Sequence, residues 1–114
     1  MQNLVMLSRD EHMFINDNLP DEKLTLRLAT FFSIFSDPTR LRILSALSIT
    51  QMCVGDIALL LNLNQSTVSH QLKLLKDAQM VAHRRSGKFI TYEAINPFIN
   101  DIMLTGVEHC LEKN

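Results

Sequence analysis

A mainly α-helical fold with one small β-hairpin is what the order of residues predicts, on three observations. Apolar residues recur at helical spacing from Leu24 onward. The pairs Asp37-Pro38 and Asn96-Pro97 each set a capping side chain before a proline suited to the first helical position. Around residues 80–94 the period changes, and MVAHR and KFITYEA, rich in β-branched and aromatic residues, flank the turn signal Arg85-Ser86-Gly87.

In chain order, residues 1–20 read as an N-terminal arm with room for a short helix, closed by Pro20. Asp21 to Ser36 opens with acids and repeats Leu24, Leu28, Phe31, Phe32 and Phe35, which is helical spacing. The next helix starts after Asp37 and runs to about Leu47; a third runs from near Cys53 to Leu61. Asn62-Leu63-Asn64 breaks it, and Asn64 suits the cap of a fourth helix, Gln65 to Ala78, with Val68, Leu72 and Leu75 as its buried stripe. The hairpin follows, then a last helix from Asn96-Pro97 to about Glu112. Residues 21–114 thus form one domain behind the arm.

Composition narrows the class. A chain of 114 residues, 46% hydrophobic and 20% charged, is an ordinary globular domain whose small core makes dimerisation a reasonable expectation. No run approaches a membrane span, so no membrane partner is expected, and the first residues lack the pattern of a secretory signal. Cys53 and Cys110 do not make a disulfide framework, which points to a reducing, cytoplasmic setting. Neither a nucleophile–base–acid set nor a phosphate loop is visible, and three glycines are few for one, so an enzyme is not expected. The net charge of −1 conceals an asymmetry. From Gln65 to Thr91, Lys73, Lys76, Arg84, Arg85 and Lys88 stand against Asp77 alone, a local +4 that leaves −5 for the rest. Such a basic segment on an acidic chain suggests a localised polyanion contact.

Two short helices joined by a tight turn, the second polar on its outer face, describe a helix-turn-helix. Gln65, Ser66, Thr67, Ser69 and His70 gather at the start of the second helix and have the reach and hydrogen-bonding groups to read base edges in the major groove of double-stranded DNA. Lys73, with Arg84, Arg85 and Lys88 near the hairpin tip, would meet phosphates, which position a protein without reading sequence.

The stretches FFSIFSDPTRLRILSAL, MCVGDIALLLNLNQSTVSHQLKLLKDAQMV and RRSGKFITYEA together resemble the ArsR/SmtB family of bacterial metal-responsive repressors, from about Leu24 to the C-terminus. The resemblance implies a winged helix-turn-helix homodimer, joined through its first and last helices, that represses transcription and leaves its operator when an inducer binds. Two copies would read half-sites about 34 Å apart.

The resemblance also implies two places for an inducer. One lies between paired last helices, and its positions here are Asn96, Phe98, His109 and Glu112; Phe98 cannot ligate a metal, so only His109 and Glu112 remain as donors. The other joins the helix at Cys53-Val54-Gly55-Asp56 to the arm. Cys53 and Asp56 match it, Gly55 stands where some relatives have a second cysteine, and Asp10, Glu11 and His12 lie about where arm ligands belong. Cys53, Asp56 and His12, with a carboxylate such as Asp10 or a water, would make a mixed four-coordinate set suited to zinc or a similar divalent metal.

Three alternatives stand beside that reading. Cys53 has a structural one, as the cap of its helix with Asp56 as the capping-box partner. A repressor responding to thiol oxidation or reactive sulfur is another, although the first cysteine of such relatives corresponds to about Ser45. A dimeric interaction module that no longer binds DNA is the third.

Overall fold

The computed structural model describes residues 4–112. The chain divides into two units, Met1–Thr30 and Phe31–Asn114. In the first, α1 (Arg9–Asn18) turns the arm into a ten-residue helix, every residue of it exposed. The signal was a capping box one turn ahead. The Ser8 hydroxyl accepts from the Glu11 amide at 3.1 Å, and the Glu11 carboxylate accepts from the Ser8 amide at 2.9 Å.

Those two bonds, the backbone one foremost, hold the Glu11 carboxyl below its ordinary value. A carboxyl whose folded pKa is depressed stabilises the helix above its unfolded value, and that stabilisation is lost as pH falls through the folded one. Acidification below about pH 4 is therefore expected to fray α1. Helical chemical shifts over residues 9–18 should fade while those of the buried helices persist, and shifts that stay put would count against the cap.

Helix α2 (Glu22–Ser33) begins with the Asp21 carboxylate accepting from the Leu24 amide at 2.7 Å. The helix expected through Ser36 ends three residues early, in a 3-10 turn over Ile34–Ser36. The cause is local. Pro38 disfavours a helical Asp37, whose side chain instead caps the next helix by accepting from the Arg40 amide at 2.9 Å. The Arg40 guanidinium then donates to the Ile34 and Ser33 carbonyls released by the turn.

Helix α3 (Pro38–Ile49) is the centre of the second unit, packing on α4 (Val54–Leu61), α5 (Gln65–Asp77), α6 (Phe98–Glu112) and one hairpin strand. Ile43, Leu44 and Leu47 from α3 join Ile57 and Leu61 from α4, Val68, Leu72 and Leu75 from α5, and Ile99 from α6 in one buried cluster. Strands β1 (Val81–Ser86) and β2 (Phe89–Ala94) pair antiparallel, Val81 opposite Ala94 and Ser86 opposite Phe89. The turn is the two-residue Gly87-Lys88, with Gly87 at φ 62°, a left-handed conformation that glycine adopts without cost. Arg85 and Ser86, expected within the turn, are therefore the last residues of β1. The architecture is a winged helix-turn-helix, with the hairpin as the wing.

Candidate nucleic-acid interface and thiol site

Helix α4 ends where Asn62 adopts a left-handed conformation (φ 55°) and the Leu63 amide donates back to the Ala58 carbonyl at 2.9 Å. Two residues later Asn64 caps α5, its side-chain oxygen accepting from the Thr67 amide at 2.7 Å. This tight turn sets α5 against α4 and buries Val68, Leu72 and Leu75, the stripe expected from spacing. With that face turned inward, helical geometry leaves Gln65, Ser66, Ser69, His70 and Lys73 exposed on the other side, and Thr67 half-buried. The first two turns of α5 thus offer a row of short and medium polar side chains to solvent.

The wing carries the cations. Arg84, Arg85 and Lys88 are all exposed. Arg84 lies 3.6 Å from the Glu93 carboxylate, a diagonal neighbour across the strand pair, and the Lys88 ammonium lies 5.7 Å from the Phe89 ring. Both contacts are at the surface, where such pairs are weak and a phosphate competes readily. Lys73 on α5 adds a further exposed charge.

Cys53 occupies the N-cap of α4, yet its sulfur makes no capping bond to the helix amides. The capping-box reading of Cys53 and Asp56 fails for that reason, since sulfur is a weak acceptor. The thiol instead donates to the Asp56 carboxylate across 3.2 Å. Two ligands of a tetrahedral zinc, one sulfur and one oxygen, stand about 3.5 Å apart. The pair therefore fits half a zinc site with little movement. Gly55 leaves room beside it, since an added Cβ would meet the Cys53 sulfur at 3.9 Å. Within Phe31–Asn114, the described residues bring no third His, Cys, Asp or Glu side chain to this pair. Asp10 and His12, the proposed arm donors, are exposed on α1 in the other unit.

At the other expected site, Asn96 is committed elsewhere. Its side-chain oxygen accepts from the Phe98 amide at 2.9 Å, and its amide donates to the Met80 sulfur at 3.8 Å. His109 and Glu112 are exposed on the last turn of α6. Sequence reasoning missed Gln51 and Thr91, which link the loop before α4 to the wing through a side-chain contact of 3.4 Å. No local pattern marks a pair that is so distant along the chain.

Known proteins resemble this chain in both sequence and fold. Residues 37–82 match the model of the bacterial regulatory protein arsR family. A transcriptional repressor SmtB homolog from Synechocystis is 34% identical over 88 residues, 77% of this chain and 67% of that one. The crystal structure of the antimony-specific transcriptional repressor AntR superposes with a TM-score of 0.76 at 27% identity, covering 84% of this chain and 87% of that one. A homodimeric winged helix-turn-helix DNA-binding domain from Mycobacterium bovis gives a TM-score of 0.69 at 26% identity, over 85% and 94% of the two chains.

Proposed function

The chain belongs to the arsR family of bacterial regulatory proteins, and from that premise we propose a homodimeric repressor that reads a palindromic operator through α5 and leaves it when zinc or a similar divalent metal binds. It is a DNA-binding transcriptional regulator and not an enzyme. Among the described residues, no helix is long and apolar enough to cross a membrane.

The observation that carries the DNA reading is the division of α5 into a buried apolar stripe and an exposed polar start. Gln65, Ser66, Thr67, Ser69 and His70 would contact base edges, while Lys73, Arg84, Arg85 and Lys88 would neutralise phosphates. A second copy of the chain is favoured by the apolar residues that the monomer leaves in water. Leu24, Leu28 and Phe32 follow one another at four-residue spacing on α2, and Phe98, Leu104, Val107 and Leu111 stand out along α6. Apolar residues aligned on helices in this way mark surfaces that another chain covers.

For the inducer, the Cys53–Asp56 pair supports a metal because its donor spacing already approaches that of two zinc ligands. Asp10 and His12 are the donors proposed to complete the set. His109 and Glu112 remain a second, weaker candidate pair. Zinc bound there would supply a fixed divalent charge that draws its ligands together; the chain supplies the thiolate and carboxylate that hold it.

The test is a zinc titration of the reduced dimer, wild type against Cys53→Ser, reading both metal affinity and operator release. Wild type should bind zinc and dissociate from DNA, with both responses weakened at least tenfold in the variant, the scale on which lost ligands act. Equal responses from the two proteins would remove Cys53 from the site.

A further inference from the structure

The geometry points to the wing as the element through which the Cys53–Asp56 site acts on DNA, an inference that rests on the metal reading above. A cleft of about 500 Å³ opens between the start of α4 and the hairpin, lined by Gln51, Cys53, Asp56, Arg84, Phe89 and Thr91 among others. One wall holds the thiol and carboxylate. The opposite wall is the wing, including one of its phosphate-seeking cations.

The two walls are also joined through the backbone. Met52, immediately before Cys53, forms an antiparallel bridge with Tyr92 of β2. The Met52 amide donates to the Tyr92 carbonyl at 3.1 Å, and the Tyr92 amide donates to the Met52 carbonyl at 2.8 Å. The Thr91 hydroxyl reaches the Gln51 side-chain oxygen alongside. The segment leading into Cys53 is therefore a one-residue third strand of the wing. Thr91 is in turn the register partner of Arg84. Pulling Cys53 toward a bound ion shifts Met52, then β2, then the strand that carries Arg84 and Arg85.

Charge alone would act in the wrong direction. A divalent ion that displaces the thiol proton adds one net positive charge to the cleft, which would draw DNA closer to the wing. Release must then come from displacement of the wing, which withdraws phosphate contacts. Helix α5, anchored by Val68, Leu72 and Leu75, keeps its base-reading face.

This coupling has a distinctive signature in salt. The slope of log affinity against log salt reports the number of phosphates neutralised, close to one unit per contact. We would measure operator affinity across a salt series with and without zinc, using the full-length reduced dimer and Cys53→Ser as control. Hydrogen exchange at the Met52 and Tyr92 amides would be followed in parallel. Zinc is expected to make the slope shallower by about two units or more, one cation from each wing, and to speed exchange at Tyr92. Zinc-driven release at an unchanged slope, with unchanged Tyr92 exchange, would overturn the wing as the transmitter and leave the metal site standing. Zinc binding through Cys53 with no change in operator affinity would also overturn it. Absence of any Cys53-dependent zinc binding would sink both this inference and the metal reading.

Discussion

Replacing Ser69 and His70 together by alanine is expected to weaken operator binding by at least tenfold to a hundredfold at fixed salt. Each base-edge contact is worth about 1–3 kcal/mol, and a dimer on a palindrome loses both copies of each. Both side chains are exposed on α5, and Ser→Ala raises helix propensity, so the fold should be untouched. Affinity for a random duplex should hold, because neither residue is assigned to a phosphate and non-specific binding is electrostatic. Fluorescence anisotropy on operator and random duplexes at one salt concentration separates the two effects. Unchanged operator affinity would show that α5 does not read bases with these residues. An equal loss on both duplexes would show that they contact the backbone instead.

Leu72→Ala is expected to cost about 2–5 kcal/mol of folding stability, because truncating a fully buried leucine removes its transfer energy and leaves a cavity. Leu72 is 1% exposed and lies in the cluster where α3, α4 and α5 meet. Set against a total of about 5–15 kcal/mol for a small domain, that loss is a large fraction. Leu74, two residues on and 42% exposed, provides the contrast. Its alanine variant should change stability by no more than about 0.5 kcal/mol, as surface substitutions generally do. Urea midpoints must be compared at one protein concentration, since dimerisation contributes to the apparent stability. Equal midpoints for the two variants would mean that the α5 stripe does not carry the core.

The helices and the wing were legible because their signals are local. Asp37-Pro38 and Asn64 announced the starts of α3 and α5, and both side chains cap the helices they precede. The Val68, Leu72, Leu75 spacing identified the buried side of α5, and with it the polar side left for DNA. Helix α1 was legible too, in the Ser8 and Glu11 spacing, although the arm was assigned only room for it. The end of α2 was misplaced because apolar spacing continues through Phe35, whereas the steric demand of Pro38 two residues beyond ends the regular helix.

By itself the sequence determined a mainly helical chain, a helix-turn-helix with a basic hairpin, and a family membership that the comparisons bear out. Periodicity, caps and turn residues are properties of neighbours in the chain, so they can be read along it. Only the tertiary structure decided what Cys53 does. Hydrogen bonding to the Asp56 carboxylate rather than to the helix amides depends on side-chain geometry that serine-like spacing does not reveal. The strand-like contact of Met52 with Tyr92, forty residues away, likewise has no local code. It exists because packing α3 and α4 against β2 brings two backbone segments close enough to satisfy each other's hydrogen-bonding groups.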